Sequence, residues 1–141
     1  MKAAILYFVF SVSLVVSCCS DRGEEVITPI QNSTWRLQSI LSGGQTIEIQ
    51  SNQVYTLHFS NDTLVTGQVH CNTYWTSYHL VPSDSISFGP FVTTKILCSQ
   101  PSNEEEFRLA FDNASSLQVV GTQLRLYYMN RTRVLNFEKT T

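Results

Sequence analysis

Tyr55-Thr56-Leu57-His58-Phe59, the pair Asn61-Asp62, and Thr63-Leu64-Val65-Thr66-Gly67-Gln68-Val69 form the stretch that decides the fold. Tyr55, Leu57 and Phe59 alternate with Thr56 and His58, a period of two that places the apolar side chains on one face of a strand. Asn and Asp accept turn backbone, so the two runs predict an antiparallel hairpin.

The same grammar extends in both directions. Upstream, Thr34 to Leu41 reads as a strand with Trp35, Leu37 and Ser39 on one face, ended by Ser42-Gly43-Gly44. Downstream, Tyr74, Thr76, Tyr78 and Leu80 alternate, Pro82-Ser83-Asp84 turns the chain, and Ser85 to Phe88 forms a short strand before Gly89-Pro90. Leu117 to Val120, Leu124 to Tyr128 and Val134 to Phe137 complete a meander, separated by Gly121-Thr122-Gln123 and Asn130-Arg131.

One segment has a different period. Phe107, Ala110, Phe111 and Ala114 recur at helical spacing after the acidic run Glu104-Glu105-Glu106, predicting a helix over about residues 102–113. Ser102 is placed as N-cap with Glu105 three residues on, a capping box, and the acidic run suits the positive helix N-terminus. A mainly β protein is therefore expected: a small antiparallel barrel-like domain of about eight strands with one helix, since closure removes exposed sheet edges.

Composition agrees with one packed domain. The 141 residues are 43% hydrophobic and only 14% charged, which excludes disorder. Nine basic against eleven acidic residues give a net charge of -2 and no positive field for a nucleic-acid backbone.

The N-terminus carries an address. Met1-Lys2 precedes an uncharged run from Ala3 to Val16, too short for the roughly 20 residues that span a bilayer, and it reads as a signal peptide over residues 1–17. Its end, Leu14-Val15-Val16-Ser17-Cys18, resembles a bacterial lipobox, in which the cysteine receives a thioether-linked diacylglycerol. Cys18 is the expected lipidation site, with acyl chains, palmitate among them, anchoring the chain to a membrane without spanning it. Residues 18–32 are expected to be a flexible tether, polar through Ser20-Asp21-Arg22-Gly23-Glu24-Glu25. That run resembles acidic lipoprotein sorting segments, which favours the outer membrane of a bacterial envelope, on its periplasmic or surface face.

Cys71 and Cys98 lie inside the domain. In an oxidising compartment such a pair is expected to be a disulfide, with buried free thiols, or a metal-binding or catalytic role, as the alternatives.

Gly67-Gln68-Val69-His70-Cys71-Asn72-Thr73-Tyr74, Ile86-Ser87-Phe88-Gly89-Pro90, Thr93-Thr94-Lys95-Ile96-Leu97-Cys98 and the Leu124, Leu126, Leu135, Phe137 pattern resemble the META domain of HslJ-like proteins. The resemblance covers residues 33–139. It implies a β-barrel-like domain, often on an envelope lipoprotein and linked in some members to heat shock or antibiotic tolerance, without an established enzymatic activity. Its motif falls here on Gly67, Cys71, Asn72, Tyr74, Thr94 and Cys98, expected to fix the crossing between the Cys71 turn and the Cys98 segment or to make a contact there. His70 stands where the family usually has glycine, and Leu97 where it usually has a small residue.

Chemistry-bearing motifs are absent: no nucleophile elbow, phosphate loop, His-Glu-x-x-His or Cys-x-x-Cys occurs. His58, His70 and His79 lack metal-ligand spacing. No catalytic residue, metal or cofactor is therefore expected. Arg125, Tyr127 and Arg133 form the candidate partner surface, because Arg and Tyr are enriched at binding hot spots. The reading is a monomeric, non-enzymatic envelope protein acting by contact with another envelope protein, with a carrier of small apolar ligands or an inhibitor of a secreted hydrolase as rivals.

Overall fold

A computed structural model describes residues 30–60, 63–81, 84–99 and 101–140. The expected signal peptide, Cys18 and nearly all of the expected tether lie outside them. Ten strands and one helix follow in chain order: β1 (Ser33–Ser42), β2 (Gln45–Glu48), β3 (Thr56–Phe59), β4 (Leu64–Val69), β5 (Asn72–Val81), β6 (Ser85–Phe88), β7 (Val92–Thr93), α1 (Glu104–Asp112), β8 (Ala114–Val120), β9 (Gln123–Tyr128) and β10 (Arg133–Thr140). The antiparallel neighbours run β1-β3-β4-β5-β6-β8-β9-β10, and β10 pairs again with β1 from Thr34↔Thr140 to Leu41↔Val134. Eight staves thus close into a barrel, and they are the eight strands that alternation predicts.

The two remaining strands prolong staves rather than add to them: β2 follows β3 along the same edge of β1, and β7 follows β6 along the same edge of β5. β2 folds back on β1 through Gly43 and Gly44, both at positive φ (59° and 78°), the geometry of a type I′ hairpin turn. All four of its residues are exposed, so no alternation announced it. β7 is two residues long and pairs with β5.

Inward positions fill the barrel. Trp35, Leu37, Leu57, Phe59, Val65, Leu124, Leu126, Leu135 and Phe137 are all essentially buried and form one core cluster. Two inward expectations are corrected. Ser39 does not continue the Trp35-Leu37 face: the register shifts between Leu37 and Ser39, a bulge that turns Ile40 inward instead. Leu80, expected inward, is 39% exposed because β5 outruns the core at its far end. The packed body also begins earlier than residue 33, since Ile30 is buried and the Asn32 N–H donates to the Phe59 carbonyl at 2.7 Å.

The helix closes one end, with Phe107, Ala110 and Phe111 facing the core. Its cap differs from the capping-box expectation. Asn103 is the N-cap, with no side-chain cap bond; its carbonyl accepts from Phe107 N, its N–H donates to Tyr55 Oη at 2.7 Å, and its side-chain amide donates to Gln53 Oε1. A capping box at Ser102 would have served the Ser102 and Glu105 N–H groups; the helix instead starts one residue later, with Asn103 fixed by tertiary partners. Ala114, counted on the helical face, instead opens β8.

Candidate functional site

The family-motif residues meet at the helix-capped end of the barrel. Val69 pairs with Asn72, so the hairpin between β4 and β5 has His70 and Cys71 as its two central residues. His70 sits at φ 57°, the left-handed region in which glycine is unstrained. Cys71 at this turn is joined to Cys98 by a disulfide with 5.8 Å between Cα atoms. The bond ties the hairpin to residues 92–98, which run as a strap beside β5 on the edge that β6 pairs farther along.

Asn72 is the centre of the crossing. It is buried, and its side-chain oxygen accepts from Ile96 N at 2.7 Å and Thr94 Oγ1 at 2.9 Å. Its side-chain nitrogen donates to Ile96 O at 3.2 Å and to Glu104 Oε2, in the first turn of α1, at 3.3 Å. Two acceptances and two donations use the whole capacity of a carboxamide. Thr94 Oγ1 in turn accepts from Thr73 N at 3.1 Å, and Thr94 N donates to Thr73 O at 3.0 Å.

Gly67 and Tyr74 form a second unit beside it. They are direct cross-strand partners, and the tyrosine ring covers the glycine, with its hydroxyl donating to Thr56 O at 2.8 Å. The same ring stacks on Phe91 at 4.6 Å and meets Phe111 and Phe107 edge-on. Burial holds the Tyr74 hydroxyl well above the usual tyrosine range, so it remains a donor. A Cβ at position 67 would run into the Thr56 carbonyl and lie 2.9 Å from Tyr74 Cε1. Gly67→Ala is therefore expected to lower stability by about 3 kcal/mol, overpacking outweighing the better strand propensity of alanine. Urea denaturation measures it; an unchanged midpoint would show that β3 yields to the methyl group.

The proposed partner residues separate in space. Arg125 and Tyr127 lie on the outer face of β9, where Tyr127 Oη donates to Gln118 Oε1 and Arg131 stacks over the ring at 4.7 Å. Arg133 does not join them. It is paired across the ladder with the buried Tyr128, and its guanidinium donates to Glu106 Oε1 at 2.9 Å, the atom that also accepts from Tyr128 Oη at 2.7 Å. Burial, followed by the Glu106 carboxylate, raises the Tyr128 hydroxyl above its ordinary range. Cross-strand partners share a face, so pairing with the inward Tyr128 puts Arg133 opposite the face that carries Arg125 and Tyr127.

Among the described residues no three His, Cys, Asp or Glu side chains gather to hold a metal. The outer surface of the described residues has a depression of about 310 Å³ beside Arg125, Gln123 and Asn136 and another of about 280 Å³ beside Trp75 and Val92. Sequence reasoning missed the Ile96-Leu97 segment. Ile96 is 61% exposed and Leu97 96% exposed, although the backbone beneath them is fastened. The available signal was the aliphatic pair immediately before Cys98, in a stretch with no strand period.

The model of the META domain matches residues 28–141. The chain belongs to the META-domain family. Two solved structures share its fold. One is the NMR structure of a protein from Burkholderia xenovorans, with TM-score 0.66 and 24% identity over 79% of this chain and 84% of that one. The other is the crystal structure of a DUF4847 family protein from Bacteroides vulgatus, with TM-score 0.58 and 16% identity over 76% of this chain and 92% of that one. No curated protein matches this chain.

Proposed function

We propose that this META-domain chain is a non-enzymatic envelope lipoprotein, anchored through Cys18 to the outer membrane as a monomer and acting by protein contact in envelope stress tolerance. The observation that carries the non-enzymatic reading is the full internal use of the motif. Asn72 makes four hydrogen bonds inside the fold, the Tyr74 hydroxyl is committed to Thr56 O, and Cys71 is held in a disulfide. None of these groups is available as base, nucleophile or electrophile toward a substrate.

The filled interior favours contact over carriage. A ligand carrier encloses most of its ligand's surface in an apolar pocket, whereas Trp35, Phe59, Phe137 and the leucines around them fill the barrel interior. The anchor reading rests on Leu14 to Cys18 in the sequence, and the outer face of β9 with Arg125 and Tyr127 offers a first contact surface.

Expressing the tagged full chain in a bacterial host with photo-crosslinkers at positions 125 and 127 tests both halves. The expected result is an acylated chain in the outer-membrane fraction, acylation lost in Cys18→Ala, and a discrete crosslinked partner. A soluble, unacylated cytosolic chain would defeat the anchor; an acylated chain that crosslinks to nothing would defeat the contact surface.

A further inference from the structure

The geometry points to the segment Lys95-Ile96-Leu97-Cys98 as a reactive-site loop that inhibits a secreted serine endopeptidase, with Leu97 entering an apolar primary specificity pocket. This inference goes beyond the contact reading above: it assigns a second surface with a partner class of its own. Leu97 is 96% exposed, a single aliphatic knob with Ile96, 61% exposed, beside it. A lone knob fits a concave pocket, whereas a membrane surface is met by a broad apolar face. The loop also lies at the barrel end opposite the start of β1, where the chain joins the fold from any N-terminal anchor.

The hydrogen bonding around the knob leaves one edge of the backbone open to a protease cleft. Proteases read substrates as an added strand, and along a strand alternate residues direct their backbone groups to opposite sides. Ile96 N–H and C=O are both taken by the Asn72 side chain, at 2.7 and 3.2 Å. The backbone groups of Lys95 and Leu97, on either side, meet no hydrogen-bond partner among the described residues. One edge of the loop is thus fastened to the scaffold and the other is open. Fastening lowers the ordering cost of binding.

The same fastening opposes turnover. In the enzyme the serine hydroxyl adds to the Leu97 carbonyl carbon, and its proton passes through the catalytic base to the departing Cys98 nitrogen as the Leu97–Cys98 bond breaks. Cys98 remains tied to Cys71 by the disulfide, and Ile96 remains tied to Asn72. The new amine therefore stays beside the acyl group and can attack it, returning the proton through the base, expelling the serine oxygen and restoring the peptide bond.

The test titrates the purified, oxidised full chain into chymotrypsin and into subtilisin. Expected is inhibition with a submicromolar Ki for at least one of them, with at most a slow single cut after Leu97 whose two fragments separate only on reduction. Leu97→Gly should weaken inhibition by about 100-fold or more, and Leu97→Lys should transfer it to trypsin. Residue 97 contacts so little of the fold that both variants should keep the wild-type melting curve. Absence of inhibition of both enzymes, rapid degradation at Leu97, or inhibition undiminished in Leu97→Gly would overturn the proposal. If the envelope partner captured at positions 125 and 127 is still captured by Leu97→Gly while no protease is inhibited, the contact reading stands and the inhibitory loop falls.

Discussion

Replacing Phe107 by alanine is expected to lower the free energy of unfolding by about 4 kcal/mol. Phe107 is fully buried where α1 meets the barrel mouth, with its ring 5.4 Å from Tyr55, 5.7 Å from Tyr74, 5.0 Å from Phe111 and 6.4 Å from Phe137. Those neighbours come from β5, β10, the helix itself and the segment leading into β3, so the cavity cannot collapse by moving one element. The helix has nine residues and would not be stable alone, so its order depends on this contact. Against a typical total of roughly 5 to 15 kcal/mol, the loss is a large fraction of stability. Urea unfolding with Glu105→Ala as control provides the measurement. Glu105 is exposed and outside the cap geometry, so its substitution should shift stability by no more than about 0.5 kcal/mol. A Phe107→Ala loss below about 1.5 kcal/mol would mean that the helix is held elsewhere.

Removing the Cys71–Cys98 bond, by reduction or by Cys98→Ser, should lower stability by about 3 to 4 kcal/mol and the midpoint by roughly 15 °C. The bridged residues are separated by 27 positions, and in the chain-entropy account a link of that span removes many conformations from the unfolded ensemble. The folded barrel itself should survive. Asn72 keeps its hydrogen bonds to Ile96, Thr94 and Glu104 without help from sulfur, and β5 stays paired with β4 and β6. Circular dichroism of the reduced protein should therefore retain its strand signal while its melting point falls. A loss under about 1 kcal/mol would show that the Asn72 contacts already restrain the strap as tightly as the bond does.

The candidate site was only partly legible. Gly67, Asn72, Tyr74, Thr94 and the cysteine pair stood out as a motif, and they do meet at one place. The role of Asn72 as the clamp on Ile96 was not readable, because its partners lie 22 to 32 positions away and a local reading of Asn stops at the nearest turn. The N-cap was misplaced for a similar reason: Tyr55 and Gln53, about 50 positions upstream, take the Asn103 groups. Arg133 looked like a neighbour of Arg125 and Tyr127 because nothing in the spacing encodes how a turn rotates the next strand.

Amino-acid order alone determined which segments are strands and which is the helix, since periods of two and of 3.6 are local consequences of backbone geometry. It determined the eight staves of the barrel for that reason, and missed β2 and β7, which bury too little to carry a period. The tertiary structure decided what depends on distant partners: the closure of β10 onto β1, the bulge that exchanges Ser39 for Ile40, the division of the arginines between two faces, and the exposed Leu97 above a fastened backbone. Such features are set by which remote carbonyl, amide or ring fills a given space, and that is known only when the chain has closed on itself.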